Sequence, residues 1–135
     1  MPASRTADQL NRTTSHIIKA SIDIHRALGP GLLENVYRLC LAYELTHSGL
    51  HVEQERSIPL RYKDAIIDCA YRVDLDVANS VLVEVKAVDS IAPIHLRQLS
   101  TYLRLADYRV GLLMNFGAGV MKDGIYRLVN GFPRT

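Results

Sequence analysis

At 135 residues the chain has the length of one domain, near the commonest domain size of about 100–150 residues. Hydrophobic residues make up 48% and charged residues 22%, the balance of an ordinary globular protein that can build a core without disulfide staples. The formal charge of +2 neither marks nor excludes a nucleic-acid binder, since a basic patch can be local.

Residues 1–12 are polar and read as a flexible tail, with no apolar stretch of the kind a secretory signal carries. The domain is expected over residues 13–135. Thr13, Thr14 and Ser15 offer helix N-caps, because their hydroxyls can accept bonds from the first free N–H groups. Behind them Ile17, Ile18, Ile24 and Leu28, with Ala20 and Ala27, form a helical stripe that ends at Gly29-Pro30-Gly31. A second helix is expected from about Gly31 to Ser48. Leu33, Val36, Cys40 and Tyr43 lie on one of its faces, and Gly49 serves as its left-handed C-terminal cap.

The character then changes. His51 to Tyr62 alternates weakly, Lys63-Asp64 is a turn, and Ala65 to Val77 is rich in β-formers. Ala78-Asn79-Ser80 is a second turn before a strand from Val81 to Val88, so the three runs predict an antiparallel meander. A helix follows over about Ile94 to Ala106, its apolar stripe being Leu96, Leu99, Leu103 and Ala106. Arg109 to Phe116 is an apolar run of strand length ended by Gly117-Ala118-Gly119, and Ile125 to Val129 makes a last short strand. The order ααβββαββ predicts an α/β or α+β fold on a mixed sheet. No run approaches the ~18 apolar residues that cross a membrane, so a cytoplasmic protein is expected. Cys40 and Cys69 sit in apolar stretches without metal-ligand spacing and read as buried free thiols.

The chemistry concentrates at Asp74 and at Glu84-Val85-Lys86. Strand side chains alternate between faces, so Glu84 and Lys86 project on one side and Val81, Val83 and Val85 on the other. A hairpin through Ala78-Asn79-Ser80 brings Asp74 alongside them, at the sheet surface. Two carboxylates and an ammonium at one spot suit phosphodiester hydrolysis. Mg²⁺ prefers oxygen and is usually held by one or two carboxylates. The lysine would position the attacking water or stabilise charge developing at phosphorus, rather than act as a simple general base. The bland alternative is a surface strand whose exposed Glu/Lys pair has no function.

Helices supply further candidates. Glu34 and Tyr37 are three residues apart on adjoining turns, and Glu34 could add a third carboxylate to the metal or its water shell. Alternatively it is a first-turn glutamate stabilised by the helix dipole. His95, Gln98 and Tyr102 form a polar stripe beside the apolar one. Gln98 and Tyr102 could hold a metal-bound water, a phosphate oxygen or Lys86, or merely cover the core. Arg97, Thr101 and Arg104 share another face and could contact phosphates, with Arg38, Arg56, Arg61 and Arg72 as further candidates or simply solvated surface. His16, His25, His47 and His51 have no metal-binding spacing.

The segment Leu28-Gly29-Pro30-Gly31-Leu32-Leu33-Glu34-Asn35-Val36-Tyr37 resembles the signature of the GxxExxY protein family, which belongs to the PD-(D/E)XK nuclease superfamily. The resemblance continues through Tyr71-Arg72-Val73-Asp74, Val83 to Val88, His95 to Leu103 and Gly111 to Gly117, five stations in the family's order. It implies a restriction-endonuclease-like core, a mixed sheet flanked by helices. It further implies a divalent ion, Mg²⁺ with Mn²⁺ as substitute, carried by Asp74 and Glu84 with the Val85 carbonyl and Glu34 as extra ligands. Lys86 would match the superfamily's catalytic lysine, and Gln98 with Tyr102 resembles the Q-x-x-x-Y element of RecB-like nucleases. Val73 stands where the motif's name has proline.

Three functional classes follow. The first is a Mg²⁺-dependent nuclease acting on DNA in repair, defence or processing. The second is a non-cleaving module on the same fold that binds nucleic acid or a protein. The third is a structural or oligomerisation domain with an incidental acidic cluster. A homodimer is compatible with a small domain, and the sequence identifies no interface.

Overall fold

A computed structural model describes residues 4–134; the side chains of Cys69 and Ala70 are outside the description, as are Met1, Pro2, Ala3 and Thr135. The first helix, α1 (Ala7–Leu28), starts six residues earlier than expected. Thr6 is its N-cap. The Thr6 hydroxyl accepts from the Gln9 N–H at 3.1 Å, and the Gln9 side chain accepts from the Thr6 N–H at 2.9 Å. Ala7 and Leu10 are buried, so the apolar stripe begins inside the stretch read as a tail. Thr13 and Thr14 are not caps but interior residues, their hydroxyls bonded back to the carbonyls of Gln9 and Asn11. Met1 to Ala3 of the expected tail lie outside the described residues.

Helix α2 (Glu34–His47) ends as expected at Gly49, which takes φ +91° while Leu50 N–H returns to the Leu45 carbonyl at 3.1 Å. Its buried face is not the expected one. Tyr37, Leu41, Ala42 and Leu45 point inward, whereas Leu33 and Tyr43 are 76% and 61% exposed. Apolar residues occur nearly all round this helix, so its periodicity did not single out a face and packing decided. Cys40 is a half-buried free thiol, and the expectation for Cys69 lies outside the described side chains.

The strands are β1 (Val52–Tyr62), β2 (Ala65–Val77), β3 (Val81–Lys86), β4 (Val110–Asn115) and β5 (Ile125–Val129), with α3 (Pro93–Ala106) between β3 and β4 and a short 3-10 turn over Met121–Gly124. They form a five-stranded sheet in the order β1-β2-β3-β4-β5. The meander β1-β2-β3 is antiparallel as expected, its second turn made by Ala78 and Asn79 at φ +56° and +50°. The β3–β4 pair is parallel and requires the α3 crossover; β5 returns antiparallel to β4. The sheet is thus mixed, with helices on both faces.

Val81, Val83 and Val85 pack with Ile17, Ile24, Tyr37, Leu41 and Leu45 of α1 and α2, while Leu82 packs with Leu99 and Leu103 of α3. The predicted alternation along β3 therefore holds. Along β2 it breaks: Leu75 and Val77 face α1 and α2, but Val73 packs on the α3 side. Residues two apart on one strand share a face unless the strand is irregular between them. The neighbouring strand is irregular at that level: Glu55, between the Gln54↔Leu75 and Arg56↔Val73 pairs, takes φ +50°. β1 is an outer strand, and its register shifts between Ile58 and Leu60, where Pro59 stands.

Candidate active site

The β2–β3 ladder runs from Val77↔Val81 to Leu75↔Val83, and one step further lie Asp74 and Glu84. There side chains take over from backbone. The Asp74 N–H donates to Glu84 Oε1 at 3.0 Å, and the Val85 N–H donates to Asp74 Oδ2 at 2.7 Å. Each carboxylate so occupies a backbone donor of the other strand, and both are fixed at the point where the ladder ends. The sequence placed this pair on the sheet surface, but Glu84 is only 6% exposed.

Burial pushes the Glu84 carboxyl up to about 8, with the neighbouring Asp74 charge as the second cause; the Asp74 N–H and Lys86 pull the other way. Asp74 is also raised, first by burial, against the opposing influence of the Val85 N–H, Lys86 and Arg38. The ammonium of Lys86, two residues beyond Glu84 on β3, does not fully offset their repulsion. Glu34 is the first residue of α2; it is exposed, and its charge raises both acids further. Arg38, one turn on, is tied to β1 through Gln54 Oε1 at 2.5 Å and to Asn35.

From the opposite layer α3 contributes Tyr102. It is buried, its ring lies 5.5 Å from that of Tyr71, and its hydroxyl is pushed up to about 12 by burial and by the charges of Glu84 and Asp74. At neutral pH it is therefore a donor. Gln98 is exposed on the same helix. His95 is engaged otherwise: its Nδ1 accepts from the Ala92 N–H at 3.1 Å and so caps α3. Arg97, Thr101 and Arg104 share one outer face, as expected.

The backbone that carries Lys86 is braced by β4. The Phe116 N–H donates to the Lys86 carbonyl at 2.8 Å. Asn115 is buried, and its amide imitates a strand by accepting from Val88 N–H and Gly117 N–H and donating to Val88 C=O, at 3.0–3.1 Å. Gly117 lies so close that a Cβ there would be 2.3 Å from the Val88 carbonyl oxygen.

Two functional-looking groups escaped the sequence. Asp76 is 2% exposed, accepts from the Tyr108 hydroxyl at 2.6 Å and lies 3.2 Å from Arg56 Nη1. Burial raises its pKa, and among the described residues its Oδ1 has no hydrogen-bond partner. His25 is buried and its Nε2 meets the Ala118 carbonyl at 2.7 Å, tying α1 to the loop after β4. Partners this distant in the chain leave no local signal.

Among the described residues no three His, Cys, Asp or Glu side chains form a ready-made metal cage. The acids present nevertheless fit a hard divalent ion. Asp74 and Glu84 are two oxygen donors whose mutual repulsion a cation would relieve, and such an ion commonly takes one or two carboxylates and keeps its waters. A cleft of about 270 Å³ beside Arg5, Asn79, Tyr108 and Arg109 includes none of these residues.

The profile of the PD-(D/E)XK nuclease superfamily matches residues 11–128. No curated protein and no solved structure matches the chain significantly. The match begins within α1 and ends in β5, so it takes in every candidate residue described above.

Proposed function

The chain belongs to the PD-(D/E)XK nuclease superfamily, and from that premise we propose that it is a divalent-metal-dependent nuclease, with DNA as substrate and Mg²⁺ as the ion. Asp74 and Glu84 would hold the ion, with the Val85 carbonyl and Glu34 completing its ligands. The observation that carries this reading is the reciprocal bonding of Asp74 and Glu84 beside Lys86. Two acids are kept together and dehydrated, an arrangement that opposes ionising both of them without a cation.

Such an ion supplies charge stabilisation at a phosphate and acidifies a water for attack. The protein's own residues supply the rest. Lys86 places a positive charge beside the acids, where negative charge develops on the phosphoryl oxygens. Tyr102 keeps its proton and can donate to a phosphate oxygen, and Gln98 extends that donor edge toward solvent. Arg38, whose charge acts on Asp74, offers a phosphate contact, with Arg97 and Arg104 of α3 as further candidates. No helix among the described residues is long and apolar enough to cross a membrane.

Labelled single- and double-stranded DNA incubated with Mg²⁺, Mn²⁺ or EDTA tests the proposal. Wild type should cut in Mg²⁺ and not in EDTA, and Asp74→Ala, Glu84→Ala and Lys86→Ala should each lose at least ~100-fold. Equal cleavage by all three variants would refute it. Salt-sensitive binding without cleavage in any metal would instead establish a binding module.

A further inference from the structure

Tyr37 stands one turn after Glu34 and is fully buried, yet nothing in the proposed chemistry uses it. Its hydroxyl is doubly engaged. It donates to the Gly29 carbonyl at 2.5 Å and accepts from the Leu32 N–H at 3.1 Å, clasping both ends of the turn that leads into α2. That turn has little else to hold it. The N-cap residue Leu33 supplies no side-chain bond to the helix. Gly29 and Gly31 lie at φ +69° and +108°, and a Cβ on either would meet nothing within 4 Å.

The ring of Tyr37 is anchored in turn. It stacks on Phe116 with centroids 4.5 Å apart and planes 8° from parallel. The Phe116 N–H holds the Lys86 carbonyl. A continuous set of contacts therefore runs from the turn before Glu34, through Tyr37 and Phe116, to the backbone of Lys86. Glu34 opens α2 two residues past Leu32, and it is one of the charges that raise Asp74 and Glu84.

We propose that the Tyr37 hydroxyl is a positioning group for Glu34, fixing the turn so that Glu34 completes the oxygen set that Asp74 and Glu84 offer a divalent cation. This deepens the nuclease reading and rests on its metal site, not on its substrate. It assigns two residues of the Gly31-Leu32-Leu33-Glu34-Asn35-Val36-Tyr37 segment separate tasks: Glu34 meets the ion, and Tyr37 aims Glu34.

The test is a calorimetric titration of Mn²⁺ into wild type, Tyr37→Phe, Glu34→Gln and the double variant, well below the unfolding midpoint of each. Phenylalanine keeps the ring, its volume and its stack, and removes only the clasp. Each single change should weaken Mn²⁺ about 10-fold, the usual scale for a group that orients a metal ligand. The double variant should be no weaker than either single one, because the two changes remove the same contribution. Gly31→Ala, strained at φ +108° with the hydroxyl intact, should weaken Mn²⁺ in the same Glu34-dependent way.

Tyr37→Phe at wild-type affinity, or losses that multiply in the double variant, would overturn the proposal. Uptake abolished by Asp74→Asn but untouched by Tyr37→Phe would overturn it alone, leaving the nuclease reading standing. A wild type that takes up no Mn²⁺ would overturn both.

Discussion

Replacing Glu84 with glutamine should stabilise the metal-free protein at alkaline pH while abolishing activity. The Glu84 carboxyl is pushed from 4.5 up to about 8 in the folded chain. Between those values the folded protein keeps a proton that the unfolded chain has released. Stability from this group is therefore fully present below pH 4.5, falls as pH rises, and is gone above about 8. At ~1.4 kcal/mol per pH unit the whole window spans about 5 kcal/mol, a ceiling set by the full separation of the two values. Asp74 acts in the same direction. A neutral glutamine still accepts the Asp74 N–H and carries no charge to repel Asp74. Even ~2 kcal/mol of relief would raise Tm by roughly 6–10 °C in a domain of this size.

The assay is thermal unfolding in EDTA from pH 5 to 9, wild type against Glu84→Gln. The wild-type Tm should fall relative to the variant as pH rises, with the gap widest above pH 8. Added Mg²⁺ or Mn²⁺ should close the gap by lifting wild type alone, by ~2.7 kcal/mol at a hundred times Kd. Parallel curves across the pH range would refute the argument that the two acids strain the fold.

Two other outcomes are expected from urea unfolding. Leu41→Ala should cost about 2–5 kcal/mol, because Leu41 is wholly buried, whereas Leu33→Ser should stay within ~0.5 kcal/mol. Asn115→Leu keeps the branched shape but strands Val88 N–H, Val88 C=O and Gly117 N–H; it should cost about 2–4 kcal/mol and reduce cleavage through Lys86.

The acid pair was legible in the sequence because a meander needs only its turns. Asp74 and Glu84 stand equally far from Asn79, so recognising the Ala78–Ser80 turn sets them opposite each other. The α2 face was not legible. Leu33, Val36 and Tyr43 compete with Tyr37, Leu41 and Leu45 at similar helical spacing, and only the sheet's position selects between the two stripes. The start of α1 was misread because the hydroxyl run at Thr13–Ser15 resembles a cap. The true signal, Thr6 with Gln9 three residues on, lay within the polar stretch assigned to a tail. Asp76 was invisible for a different reason. Its partners Tyr108 and Arg56 come from other strands and loops, and nothing local distinguishes a buried aspartate from an exposed one.

The irregular outer strand β1 bears on how this protein behaves in a crowded solution. An eleven-residue border strand is a template on which another chain's strand can grow, the first step toward aggregation. Here Pro59 has no N–H to offer a ladder, the register slips beside it, and Glu55 takes φ +50°. Glu53, Gln54, Glu55, Ser57 and Arg61 are exposed along the same strand, so an incoming strand would have to bury several of them without partners. The irregular backbone of β1 thus also guards this flank of the sheet.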